Sequence, residues 1–274
     1  MFLKKVALTA LLTLSMTTPA LAAPATDIVI NGSTTVLPVM QKAGEAFMAA
    51  NPGIHLVISG GGSGNGIKAL VDGLCQVAMS SRDIKENERS LATSKNVTPV
   101  RIPVAVDALV PVVNPANKVV DLSQEQLRDI YAGKIRNWKD VGGADAKIVV
   151  ISRDTSSGTY ETWEEMIMKK QKVAPSALLQ ASNGAVVQAV SKNKNAIGYI
   201  GFGYLDKSLK ALHVNGLEAT PANALSRAWP ISRELYVFTN GQPAGAVKEL
   251  IAFLLDPQKG QKLVRETGFI PLDK

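Results

Sequence analysis

The chain has 274 residues, 46% of them hydrophobic and 19% charged, with a formal net charge of +7 and a single cysteine. That length exceeds what one core of roughly 100 to 150 residues uses, and the apolar content excludes an intrinsically disordered chain. The charge is too mild for a nucleic-acid binder, the lone Cys75 excludes an intramolecular disulfide, and an aromatic content of 5% argues against a neutral-sugar site.

Residues 1–22 read as a cleaved Sec-type signal peptide. Lys4 and Lys5 precede a mostly apolar run from Val6 to Met16, and Pro19-Ala20-Leu21-Ala22-Ala23 supplies an Ala-x-Ala cleavage site. The run is too short for a permanent membrane helix, and no cysteine stands at the cleavage point to take a lipid. The expectation is a periplasmic protein in which Cys75 is a small buried hydrophobe.

In the mature chain, Asp27 to Asn31 predicts a short strand, Gly32-Ser33-Thr34-Thr35 a turn, and the following residues a helix to about Ala50. Val36, Met40, Ala43 and Phe47 fall on one face of that helix, with Pro38 tolerated in its first turn. Ile54 to Ser59 predicts a second strand, and the glycine run Gly60 to Gly66 feeds a helix from Ile67 to Val71. A third strand, Val77 to Met79, ends at Ser80-Ser81-Arg82-Asp83. Arg101 to Val113 and Trp229 to Thr239 predict two long extended crossings. Between them lie a capped helix after Ser123, a strand over Ile148 to Ile151, a helix from Gly158 to Lys170, a helix Ala185 to Ser191 opened by Ser182-Asn183-Gly184, and a strand Ala196 to Ile200. Helices over Ala244 to Leu255 and Gln258 to Thr267 close the chain.

The expected fold is therefore α/β, with two lobes that each carry a mostly parallel sheet flanked by helices, joined by two extended hinge crossings with a ligand cleft between them. Residues 23–105 with 230–274 form the first lobe, and residues 106–229 form the second.

Three stretches carry the chemistry: Gly32 to Thr35, Gly60 to Gly66, and Arg153-Asp154-Thr155-Ser156-Ser157-Gly158-Thr159. Each joins a strand end to a helix start through hydroxyls or glycines, where free N–H groups and the positive end of a helix dipole favour an anion. Arg153 adds a permanently charged planar fork. Arg82, Arg101 and Arg136 compete for that role; Arg153 leads and Arg82 follows, while Arg136 reads as surface. Nucleotide motifs fail, because Ile67 rather than lysine follows Gly66 and Asn65 interrupts the dinucleotide spacing. Gly61-Gly62-Ser63-Gly64-Asn65 misses a nucleophile elbow at its last position, and His55 and His213 have no triad partner by motif. One cysteine and two distant histidines give no metal-ligand spacing, and no cofactor is implied. Trp138, Trp163 and Trp229 read as packing residues.

With those residues in view, the chain resembles the periplasmic phosphate-binding proteins that serve ABC phosphate importers. The match rests on Gly32-Ser33-Thr34-Thr35, Gly62-Ser63-Gly64-Asn65-Gly66-Ile67-Lys68, Ser80-Ser81-Arg82 and Arg153 to Thr159. Leu127 to Ile135, Asn137-Trp138 and Ala196-Ile197-Gly198-Tyr199 also match, so the likeness covers nearly the whole mature chain. The resemblance implies a two-lobed monomer, not an enzyme, that closes on inorganic phosphate and delivers it to a membrane permease. It implies that Thr34 and Thr35 bind through amide and hydroxyl, with Ser63 and Ser81 beside them and Arg153, Ser157, Gly158 and Thr159 opposite. Ser33 and Arg82 are further candidates. The chain departs from many members by carrying Ser81 and Thr155 where aspartates align. That keeps sulfate or molybdate open as the anion, ahead of a secreted serine hydrolase or phosphatase acting through Ser63 or Ser157.

Overall fold

A computed structural model describes residues 26–272; the expected signal peptide lies outside them. The chain runs β1 (Thr26–Gly32), α1 (Leu37–Ala50), β2 (Ile54–Gly60), α2 (Ser63–Val71), β3 (Val77–Ser80), α3 (Glu86–Ser94) and the long β4 (Pro99–Val113). It continues through β5 (Asp121–Leu122), α4 (Gln124–Tyr131), β6 (Val149–Arg153), α5 (Gly158–Met166), β7 (Leu178–Gln180), α6 (Asn183–Ser191) and β8 (Ala196–Gly201). The last elements are β9 (Lys210–Ala211), β10 (His213–Val214), α7 (Pro221–Leu225), β11 (Ser232–Asn240), α8 (Gly245–Leu255) and α9 (Gly260–Glu266).

Among the described residues the main sheet has nine strands in the order β2-β1-β3-β11-β4-β8-β6-β7, with β9 also on β4. Its outer thirds are parallel, β1 with β2 and β3 on one side and β6 with β7 and β8 on the other. The two central strands are antiparallel to each other and to their outer neighbours, so the parallel pattern expected of each half gives way where β4 and β11 cross. A bulge at Leu235/Tyr236 places Pro103 opposite Tyr236. Proline has no ladder N–H, so an irregularity there costs little.

The buried apolar residues separate at these crossing strands. One core gathers Ala108 to Val113 with Trp138, Trp163, Tyr199 and Ile231. A second gathers Ile28, Ile30, Met40, Phe47, Val104, Ala105 and Leu235 with α8 and α9, and a smaller third sits under α2 around Cys75 and Phe238. The α1 face behaves as its spacing predicts, with Val36, Met40, Ala43 and Phe47 all buried.

Helices α2, α5 and α3 depart from expectation, each for a local reason. Helix α2 starts at Ser63 because Gly62 takes φ of 98°, a turn that L side chains rarely adopt. Helix α5 ends at Met166 and does not reach Lys170, where Lys169 and Lys170 have φ of 49° and 66°. Helix α3 was not anticipated: its only buried residue is Ala92, so it shows no apolar stripe. No described helix is long and apolar enough to cross a membrane.

Candidate functional site

Four helix N-termini converge where the two main cores meet. Helix α1 follows the Ser33-Thr34-Thr35 turn, α2 opens at Ser63, α5 at Gly158 and α6 at Asn183. The first two belong to chain before β4 and the last two to chain between β4 and β11, so the turns face each other across the crossing strands. Contacts between them are direct. Thr35 Oγ1 lies 2.9 Å from Thr159 Oγ1, Asn183 Nδ2 donates to Thr35 Oγ1 at 3.0 Å, and the Gly64 amide donates to the Ser156 carbonyl at 3.0 Å. Gly158 is required by this approach: a Cβ there would stand 2.3 Å from Ser63 Oγ and 2.7 Å from Ser81 Oγ.

The hydroxyls are buried. Ser33, Thr34, Thr35, Ser63, Ser81, Ser157 and Thr159 are each at most 7% exposed. Such groups need partners, since an unpaired buried hydroxyl costs about 1–3 kcal/mol. Ser33 Oγ accepts from the Thr35 amide at 3.1 Å and from Val36 at 3.4 Å, and Ser157 Oγ caps α5 by accepting from Tyr160 N at 3.3 Å. Ser63 Oγ accepts from the Ser81 amide at 3.0 Å and pairs with Ser81 Oγ at 3.3 Å. The Thr35 amide, expected to face a ligand, is thus taken by Ser33 Oγ.

Arg153 ends β6 and is 1% exposed. Its Nε donates to the Gln180 carbonyl at 2.9 Å and its Nη2 to the Ala181 carbonyl at 3.0 Å, which fixes the plane of the guanidinium. Its backbone N–H donates to Tyr199 Oη at 3.2 Å, and Tyr199 stacks on Trp163 at 4.3 Å, so packed aromatics buttress the arginine from behind. Burial pushes the Arg153 pKa down; the Asp154 carboxylate opposes this and the nearby Arg233 cation reinforces it. Nη1 is buried and has no protein partner. A charged N–H without an acceptor in such a place is available to hold an anion.

The sequence reading missed three groups beside the hydroxyls. Asn183 is fully buried, with Nδ2 toward Thr34 and Thr35 and Oδ1 accepting from Gly201 N at 3.2 Å. Arg233 on β11 and Asp107 on β4 form a buried ion pair, with Nε at 2.9 Å and Nη2 at 2.7 Å from Asp107 Oδ2. Arg233 Nη2 also donates to Thr159 Oγ1 at 3.1 Å. Burial pushes the Asp107 carboxyl up, with Arg233 pulling the other way. Asn183 was visible only as a helix opener, and Arg233 and Asp107 lie in stretches whose pattern said only "extended".

Arg82, the further candidate, is engaged by carboxylates. Its guanidinium is held by Glu88 at 2.7 and 2.8 Å, by the Asp83 carbonyl at 2.8 Å, and by Glu161 of α5. Thr155 is exposed, and Asp154 turns back to accept from the Ser156 amide at 2.9 Å. Arg136 is exposed, as expected. A serine nucleophile would need a base nearby, but His55 pairs with Asp27 at the surface and is 61% exposed. His213 lies in the separate β5–β10 pair. With one anchored cation, a second held by a carboxylate, and hydroxyls on both sides, the arrangement can hold a tetrahedral anion.

Comparison with known proteins gives the same picture. A PBP superfamily domain matches residues 17–258. The phosphate-binding protein PstS of Bacillus subtilis is 31% identical over 247 residues, spanning 90% of this chain and 81% of its own length. The phosphate-binding protein PstS of Borreliella burgdorferi is 32% identical over 253 residues, 88% of each chain. Among solved structures, a Clostridium perfringens protein assigned to a phosphate ABC transporter, with phosphate bound, superposes with a TM-score of 0.84 at 34% identity, over 90% of this chain and 100% of that one. An ABC-type phosphate transport receptor from Vibrio cholerae gives 0.73 at 37% identity, over 89% and 99%. The chain therefore belongs to the PBP superfamily and, within it, to the phosphate-binding proteins.

Proposed function

We propose that this protein captures inorganic phosphate outside the cytoplasm and delivers it to the membrane permease of an ABC importer, without catalysing a reaction. One observation carries the reading: Arg153 Nη1 is buried and unpartnered among hydroxyls at converging helix N-termini. Its relatives' names support phosphate as the anion. In this reading residues 23–105 with 230–274 and residues 106–229 are the lobes of a monomer secreted through a signal peptide, and β4 and β11 are the hinge. Thr34, Thr35, Ser63, Ser81, Arg153, Ser157, Gly158 and Thr159 surround the ligand, with Ser33 shaping its turn.

Isothermal titration of protein stripped of ligand by unfolding and refolding tests this. The expected result is tight one-to-one phosphate binding accompanied by a rise in Tm. No heat and no thermal stabilisation with phosphate would refute the reading. Binding of sulfate or molybdate in place of phosphate would move the protein to a different oxyanion.

A further inference from the structure

The threonine side of the chamber has a fixed hydrogen-bond polarity. Amide NH2 and guanidinium groups can donate but never accept. The Gly201 N–H, which also can only donate, fixes Oδ1 of Asn183 toward itself and leaves Nδ2 facing the threonines. Thr34 Oγ1 then accepts from Arg153 Nη2 and from Asn183 Nδ2, both at 3.4 Å. Thr35 Oγ1 accepts from Asn183 at 3.0 Å and from Arg233 Nη2 at 3.5 Å, and Thr159 Oγ1 accepts from Arg233 at 3.1 Å. Thr35 and Thr159 also share one hydrogen bond, at 2.9 Å. A hydroxyl has two lone pairs and one proton. The two Thr35 lone pairs are taken by Asn183 and Arg233, so Thr35 donates the shared bond, and the Thr159 lone pairs are then filled by Thr35 and Arg233, just as those of Thr34 are filled by Arg153 and Asn183. What remains is the Thr34 proton and one proton from the Thr35–Thr159 pair. The serine side differs, because Ser63 accepts one backbone N–H and otherwise pairs only with Ser81, so lone pairs there stay open.

We propose that Asn183 and Arg233, the latter anchored by Asp107, are positioning residues that lock the threonine hydroxyls as donors toward the ligand. The threonine wall then accepts only unprotonated oxygens, and any proton on the anion is left to the serine side. The preferred ligand is a tetrahedral dianion. The inference rests on the phosphate reading above and adds the ligand's ionisation state to it.

The test measures phosphate affinity from about pH 6 to about pH 8, across the second ionisation of a phosphate group, in the intact protein and two variants. The intact protein must first bind phosphate; if it does not, the functional reading fails independently of this inference. Given binding, the expected affinity rises with pH. Asn183→Asp replaces a donor by an acceptor at the same position, draws the Thr35 proton toward itself and turns a lone pair to the ligand. Its affinity is expected to flatten or fall with pH over the same range. Asp107→Asn combined with Arg233→Met removes the second donor without leaving a buried charge, and is expected to reduce the pH-dependent gain at least threefold. The Asn183→Asp variant is nearly isosteric and keeps the test open if the double variant does not fold. Equal losses of affinity at both ends of the pH range would mean that these residues only support the fold, and would overturn the proposal. So would a pH-independent affinity in the intact protein.

Discussion

Arg153 stands at the end of β6 with two of its nitrogens spent on carbonyls and a third free, a division of labour that orients the charge before any ligand arrives. Arg153→Ala should therefore cost about 2–5 kcal/mol of phosphate binding, measured by titration, while Tm in the absence of phosphate changes little. A loss of less than threefold would remove Arg153 from the site. Cys75 presents the opposite situation. It is 5% exposed in the core under α2, and burial pushes its thiol up to about 11 from an ordinary 9.0. The native thiol thus stays protonated at neutral pH and should resist a thiolate-directed reagent until the protein is unfolded. The sign for stability follows. The raised native pKa contributes nothing adverse below about 9, and native stability is lost as pH climbs from about 9 toward about 11, because only the unfolded thiol ionises there. Cys75→Ala should flatten that part of a denaturant-midpoint profile.

At the scale of elements, close approach decides what each turn tolerates. A Cβ on Gly158 would collide with Ser63 and Ser81, which belong to the other side of the site. A Cβ on Gly66 would meet Gly32 Cα at 2.6 Å and the Asn31 carbonyl at 2.7 Å, within its own side. Gly158→Ala should accordingly weaken phosphate binding by about a hundredfold, roughly 2.8 kcal/mol, with Tm nearly unchanged. Gly66→Ala should lower Tm instead, through overpacking of about 1–3 kcal/mol. Calorimetry and titration on the same two variants separate these outcomes, and a common effect on both quantities would contradict the assignment. Most elements were legible from short-range pattern: the α1 face, the Ser123–Gln126 capping box and the Ser182 cap all form as their residues predict. Helix α3 was not, because a polar helix held by Glu88 reaching back to the Lys85 amide has no apolar period to read.

Across the whole molecule, Arg82 and Glu161 tie α5 to the loop after β3, and Lys85 adds to the same carboxylate at 3.1 Å. Both members of the Arg82–Glu161 pair are near 10% exposed in their side chains, so solvent screens the contact weakly. Burial pushes the Glu161 carboxyl up, and Arg82 and Lys85 pull it back. Arg82, a further candidate for the anion, is thus tied to α5 through Glu161. Glu161→Gln leaves Arg82 with Glu88, so the fold should persist while phosphate dissociates about tenfold faster, or ~1.4 kcal/mol. Stopped-flow release measures this, and an unchanged dissociation rate would show that the pair has no part in retaining the ligand.

The sequence by itself determined the strand–turn–helix units, the two long crossings and the prominence of Arg153, because these depend on residues close together in the chain, where hydrophobic period, caps and turn chemistry operate. Only the tertiary structure decided the partners. Asp107 and Arg233 meet 126 residues apart, Asn183 reaches Thr35 across 148, and Glu161 of α5 pairs with Arg82 of the loop after β3. The antiparallel pairing of β4 with β11 has the same origin. A buried charge is tolerated only where the fold brings its counter-charge, and no local pattern records which distant residue that will be.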